Sequence, residues 1–170
     1  MKVFLIGFMG SGKTTAARRL AARMNCGWED LDHIIEQETG MSIAQIFRDK
    51  GEQAFRDLES RYLKEGVSRP LGVLATGGGT PCYHENMQWM NRTGITVYLK
   101  MTAEQLFSRL KETRSNRPLL KGLNDEDLLH YIVQKLRDRE PFYNMAHIHI
   151  PGFNLDVRSL EDKIYARLKQ

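Results

Sequence analysis

Few nine-residue stretches restrict a fold as tightly as GFMGSGKTT, residues 7–15, set between the apolar run VFLI and the helix-like AARRLAARM. Four residues separate Gly7 from Gly12, and Lys13 and Thr14 follow at once. Glycine admits positive φ and lets a ligand approach backbone N–H donors. A helix N-terminus offers unpaired N–H groups and partial positive charge, a combination that favours an anion. The G-x-x-x-x-G-K-[ST] spacing in a strand–turn–helix context is that of a phosphate-binding loop. Gly10, Ser11, Gly12, Lys13, Thr14 and Thr15 are therefore the candidate nucleotide contacts.

A loop of this kind belongs in an open α/β sheet, and the rest of the chain alternates accordingly. Strands are expected at 3–8, 27–31, 72–76, 95–101 and 147–150. Helices are expected at 14–24, 43–47, 52–65, 85–91, 103–111, 125–139 and 160–168. Such alternation predicts a parallel sheet with helices on both faces, in one domain spanning 1–170. Ser42 and Gln45 have the spacing of a capping box, and Pro141 is expected to end the helix before it. Two regions break the alternation. Residues 32–64 hold extra helical material between the second and third strands, and 112–124 is polar, arginine-rich and aperiodic. Insertions at such places commonly carry substrate selectivity and a lid.

Composition narrows the class further. Net charge is +4 with pI near 9.1, but the basic residues are scattered, so small anionic substrates account for the surplus and nucleic acid is not expected. The two cysteines, Cys26 and Cys82, form no C-x-x-C pair and suit a reducing cytosol. The apolar start is broken by Gly7 and runs into the loop, which reads as a core strand rather than a signal segment. No stretch has the length of a membrane span.

Beyond the loop, WEDLD places Asp30 and Asp32 at the end of the second strand, on one face by period-two alternation. Ligands of open α/β sheets bind beyond such strand ends. One carboxylate would support magnesium and the other would face an acceptor hydroxyl, although a solvated turn accounts for both equally well. The third strand ends in Gly77-Gly78-Gly79, where many phosphate-loop enzymes have a magnesium-assisting aspartate. That makes Asp30 the better metal candidate, and the glycines suggest close approach of a ligand, with a flexible turn as the alternative. Glu52 and Arg56 have the spacing of a surface ion pair, and Arg139 suits a helix C-terminus. Taken singly, both arginines read as structural.

The segments GFMGSGKTT, DLD, GMSIAQIFRDKGEQAFRDLE, TGGG, RPLL and REPFY occur together in the order and spacing of shikimate kinases, so the chain resembles that family over almost its whole length. The resemblance implies an α/β fold of three α/β/α layers, the P-loop fold of nucleoside-monophosphate kinases, with a five-stranded parallel sheet in order 2-3-1-4-5. It implies transfer of the ATP γ-phosphoryl group to the 3-hydroxyl of shikimate, with Mg2+, in chorismate biosynthesis. By position, Lys13 would contact the β/γ-phosphates, Thr14 would ligate magnesium, and Asp30 would support its water shell. Asp32 would face the acceptor hydroxyls beside Gly77, Gly78 and Gly79. Arg56 and Arg139 would hold the carboxylate, with Glu59 behind Arg56 and with Phe47 and Phe55 lining the ring pocket. Arg117 would reach the phosphates from the lid, while Arg109 and Asn154 resemble the adenine site. Lys13, Asp32 and Arg117 are thus the catalytic candidates.

Three positions depart from the family's common pattern: Leu31 between the aspartates, Pro81 after the glycines, and His147 where Ala-Asp is usual. None is a proposed catalytic group. The expectation is a cytoplasmic monomer that binds ATP and shikimate and neither nucleic acid nor membrane. Rival readings are another small-molecule kinase such as a gluconate kinase, whose acceptor also carries a carboxylate, and a nucleotide-binding regulatory module without turnover.

Overall fold

Along the first strand the side chains divide by period two, and the division sets the layers. The computed structural model describes residues 2–65, 72–116 and 119–169. Its strands are β1 (Lys2–Ile6), β2 (Gly27–Asp30), β3 (Gly72–Ala75), β4 (Ile95–Lys100) and β5 (Ile148–Pro151). All pair in parallel, in the expected order β2-β3-β1-β4-β5. The helices are α1 (Lys13–Arg23), α2 (Leu31–Thr39), α3 (Ile43–Glu65), α4 (Asn86–Thr93), α5 (Ala103–Leu110), α6 (Asp125–Tyr143) and α7 (Val157–Leu168). Val3 and Leu5 of β1 join Ala17 and Leu20 of α1 and Leu160 and Ile164 of α7 in one core. Phe4 and Ile6 join Leu106 of α5 and Ile132 of α6 in the other. Burying each large apolar side chain contributes about 1.5–3 kcal/mol, so neither face of the sheet can be left bare.

This strand order puts β1 between β3 and β4. Chain direction across the sheet reverses there, and a crevice opens beyond the carboxyl ends of β1 and β3. The phosphate loop and the glycine run follow those two strands. They therefore face each other across the crevice.

Four local expectations fare differently. The Ser42–Gln45 capping box forms, with Gln45 N–H donating to Ser42 Oγ at 3.2 Å and Ser42 N–H to Gln45 Oε1 at 2.8 Å. The predicted helices at 43–47 and 52–65 are one element, α3, kinked at Gly51, whose φ of 83° and ψ of 173° only glycine adopts at low cost. α2 falls in the helical insert expected at 32–64, but it begins at Leu31 and so overturns the strand alternation argued for the aspartates. Asp30 ends β2 and caps α2 by accepting the Asp32 N–H at 3.1 Å, so Asp32 lies in the first helical turn rather than on a strand. Pro141 does not stop α6, which runs on to Tyr143. The missing N–H removes one bond of the last turn, and the fully buried Tyr143, packed with its ring centroid 5.0 Å from that of Tyr98, holds the turn helical.

Of the aperiodic stretch 112–124, a 3-10 turn covers Arg114–Asn116, Arg114 pairs with Asp125, and Leu120 is buried in the core. Arg117 lies outside the described residues. No helix among the described residues is long and apolar enough to cross a membrane.

Candidate active site

The phosphate loop is shaped by its glycines. Gly10 and Gly12 have φ of 81° and 90°, and a Cβ on Gly10 would lie 2.9 Å from Leu110. Gly12 is the N-cap of α1, with no side chain bonded to the helix end and no acidic residue in the first turn. The first N–H groups of α1 are thereby left for a ligand's anionic oxygens. The largely buried Lys13 bends back over the loop and donates to the carbonyls of Gly7 and Phe8, each at 2.9 Å. The Thr14 hydroxyl donates to Asp30 Oδ2 at 2.6 Å. These oxygens suit magnesium, a hard cation that takes one or two protein ligands and keeps its waters and phosphate oxygens. Consistent with so sparse a donor set, no group of three or more His, Cys, Asp or Glu among the described residues forms a ready cation cage.

Beside the loop a groove of about 500 Å³ is lined by Ser11, Gly12, Thr15, Arg19, Arg109 and Asn154, among others. Arg109 donates to the carbonyl of Gly10 at 3.2 Å and stands 5.8 Å from the Phe153 ring. Every described residue expected at the nucleotide therefore borders the loop or the groove. Arg19 was not foreseen, and its helix-face position carried no signal.

Across the crevice lies a second cavity, of about 250 Å³. Asp32, Phe47, Phe55, Arg56, Glu59, Gly77, Gly78, Gly79 and Arg139, the residues that the resemblance assigns to the acceptor, all line it. Met9, Ile43 and Leu119 complete the apolar side and had not been named. Two of these were legible: Met9 sits inside the loop motif, and Leu119 inside RPLL.

The charges of this cavity are organised from behind. Arg56 is not a surface residue. It is 3% exposed, and the expected pair with Glu52 (Nη2 to Oε1, 2.9 Å) is joined by a fully buried one with Glu59 (Nη1 to Oε2, 2.6 Å). Burial works against its charge, yet Glu59 and Glu52 hold its pKa above the ordinary arginine value. Rings of Phe55 and Tyr83 lie 5.3 and 4.6 Å from its guanidinium carbon. Arg139 is not at a helix end. It is 7% exposed within α6, and its Nη1 is enclosed without a hydrogen-bond partner. A buried donor left unpaired costs roughly 1–3 kcal/mol, a penalty that an incoming acceptor group removes.

Asp32 is the complementary case. Its Oδ1 is also enclosed and unpartnered. Burial, then the negative charges of Glu59 and Asp30, push its pKa from 3.8 to about 7, with Lys13 pulling the other way. A carboxyl at that value accepts and releases a proton near neutrality.

The glycine run has a steric cause rather than a flexible one. A Cβ on Gly77 would lie 2.2 Å from Glu59 Oε1, one on Gly78 3.3 Å from Arg139 Nη1, and one on Gly79 2.5 Å from Arg56 Nη1. Residues 77 and 79 must lack side chains for Glu59 and Arg56 to pack this close to the turn, and Gly78 leaves a tighter fit for Arg139. Tyr143 supports the same turn by donating its hydroxyl to the Gly78 carbonyl; burial pushes that hydroxyl's pKa up, so it stays a donor.

A model of the shikimate kinase family matches residues 9–169. The curated shikimate kinase of Bacteroides thetaiotaomicron is 40% identical over 163 residues, 96% of this chain and 90% of that protein. A solved shikimate kinase structure from the same species superposes with a TM-score of 0.89 at 36% identity, covering 100% of this chain and 99% of that one. The shikimate kinase of Acinetobacter baumannii, solved in complex with shikimate, gives a TM-score of 0.82 at 38% identity, over 98% and 92% of the two chains. This chain belongs to the shikimate kinase family.

Proposed function

We propose the following division of labour for a chain that, as a member of this family, transfers the ATP γ-phosphoryl group to the 3-hydroxyl of shikimate, giving shikimate 3-phosphate and ADP. ATP lies with its phosphates on the loop N–H groups of Gly10–Thr15 and its base in the groove beside Arg109 and Asn154. Lys13 leaves the carbonyls of Gly7 and Phe8 to contact the β/γ-phosphates, a role that the resemblance also gives Arg117. Thr14 would hold magnesium directly and Asp30 through water; bound there, the ion neutralises phosphate charge.

Shikimate lies in the smaller cavity. Arg139 gives its carboxylate the hydrogen bonds that Nη1 lacks, and Arg56 adds a second cation; planar guanidinium groups suit such a carboxylate better than an ammonium. The ring packs against Phe47 and Phe55. Asp32 accepts a hydrogen bond from the attacking hydroxyl on Oδ1 and takes its proton as the bond to phosphorus forms. In a loose transition state that bond forms late, so orientation by Asp32 contributes more than its basicity. Positioning two reactants across one crevice supplies most of what phosphoryl transfer requires of a protein.

The observation that carries this reading is the convergence of an unpartnered Asp32 oxygen and an unpartnered Arg139 nitrogen on one cavity across from the phosphate loop. A hydroxyl and a carboxylate on one small ring match that pair. The same acid-plus-hydroxyl chemistry exists in gluconate, but family membership favours shikimate. A regulatory module without turnover has no use for charged groups that converge on both sides of one crevice. The protein is further read as a cytoplasmic monomer.

An ADP-release assay with ATP, magnesium and a panel of shikimate, quinate, gluconate and nucleoside monophosphates tests the assignment. Shikimate should exceed every other acceptor in kcat/KM by at least two orders of magnitude, the discrimination expected where buried polar groups would otherwise be left unpaired. Comparable turnover of gluconate, or none of shikimate, contradicts it.

A further inference from the structure

We infer that Thr80 is a positioning residue of the acceptor site: its hydroxyl fixes the Glu59 carboxylate, which in turn holds Arg56 at the cavity. The inference rests on the acceptor reading above and goes beyond it to a residue that does not line the cavity.

Thr80 is fully buried, and its hydroxyl donates to Glu59 Oε1 at 2.5 Å. The other oxygen of Glu59, 1% exposed, accepts Arg56 Nη1 at 2.6 Å. Each carboxylate oxygen thus has one donor, and the plane of the carboxylate is set by both. With Arg56 as its only partner, the carboxylate would be free to turn about its last torsion and carry the guanidinium with it.

Thr80 is itself held by its main chain. Its carbonyl accepts Asn86 Nδ2 at 2.9 Å, and Asn86 Oδ1 accepts the Ser60 hydroxyl at 2.8 Å. Asn86 is fully buried and Ser60 nearly so. The chain of bonds therefore leaves α3 at Ser60 and returns to it at Glu59. A buried network of this kind rigidifies when every member is satisfied.

The two halves of Thr80 separate cleanly. Its carbonyl serves the fold, through Asn86. Its hydroxyl serves only Glu59, and Gly77 allows that approach, because a Cβ there would lie 2.8 Å from Thr80 Oγ1. Removing the hydroxyl while keeping the shape removes the link and leaves the Asn86–Ser60 bonds in place.

Thr80→Val, Thr80→Ala and Thr80→Ser separate this role from a structural one. In steady-state assays of the full chain, Val should raise the shikimate KM about fivefold or more, with kcat within about twofold and the ATP KM unmoved. Ser, which keeps the hydroxyl, should restore the wild-type KM. For shikimate with its carboxylate replaced by a neutral amide, Val and wild type should agree. Ala gives the same readout if the Val protein does not fold. An unchanged shikimate KM in Val or Ala, equal weakening of acid and amide, or a Ser variant as impaired as Val overturns the inference. Failure of the wild-type chain to phosphorylate shikimate at all overturns the acceptor reading instead.

Discussion

The acceptor cavity and the nucleotide groove hold their charged groups in opposite ways. In the cavity, Arg56 is gripped by Glu52 and Glu59, Glu59 by Thr80, and the glycine turn by Tyr143. All of these anchors are side chains, and none has to leave for a substrate to enter. In the groove, Lys13 and Arg109 rest on carbonyls of the very loop that receives the phosphates. On the proposed reading, Lys13 exchanges its two bonds for phosphate contacts when nucleotide binds. One side of the crevice is built in advance, and the other completes itself with its ligand. A phosphate loop can be assembled by short-range backbone geometry, whereas a rigid acid-and-hydroxyl site needs anchors from α3, α4 and α6.

The largest expected effect breaks the nucleotide side alone. Lys13→Ala should lower kcat on the order of 10³-fold, the loss of a principal transition-state charge, while shikimate binding to the nucleotide-free protein barely moves. Stopped-flow turnover and calorimetric titration check the two halves. A comparable loss of shikimate binding would show that the sides are not independent.

Gly79→Ala breaks the acceptor side. Its Cβ would lie 2.5 Å from an Arg56 nitrogen that cannot swing away without abandoning Glu59. The shikimate KM should rise ten- to a hundredfold, or about 1.4–2.8 kcal/mol, with the ATP KM unchanged. An ATP KM that rises equally would place the damage in the fold.

A smaller effect concerns stability. Asp32 binds its proton more tightly folded (pKa about 7) than at its ordinary 3.8. Between those values the folded state carries more proton than the unfolded one, so stability falls as pH rises, and the penalty is complete above about pH 7. Asp32→Asn, which has no charge to desolvate, should therefore melt a few degrees higher than wild type at pH 8. The gap should close toward pH 4, while activity is lost. Melting curves across that range check the sign, and a lower melting temperature at pH 8 would contradict it.

The fold was readable because its signals are local. The apolar run of β1, the helix-like AARRLAARM of α1 and the glycines between them are short-range patterns, and the strand order came with the resemblance. The misreadings were local rules overridden by long-range packing. Pro141 stays within α6 because Tyr143 is anchored to Tyr98 and Gly78, and Arg56 is buried because Glu59 and Phe55 close over it. In the site, side chains within motifs were legible, as Lys13 and Asp32 were. Supports such as Thr80 were not, because a threonine after three glycines looks like any turn residue until Glu59, 21 positions away, comes into view.

On the proposed reading the cavity recognises a carboxylate through Arg139 beside an Arg56 already held by Glu52 and Glu59, and the KM ratio of the neutral amide to shikimate in wild type and Arg139→Lys measures that recognition. Lysine keeps the charge but cannot supply two parallel hydrogen bonds. The variant should raise the shikimate KM about tenfold, roughly 1.4 kcal/mol, and leave the amide near its wild-type value, so that the ratio collapses by the same factor. If acid and amide weaken together and the ratio stands, Arg139 holds the fold rather than the substrate, and the cavity does not read a carboxylate through it.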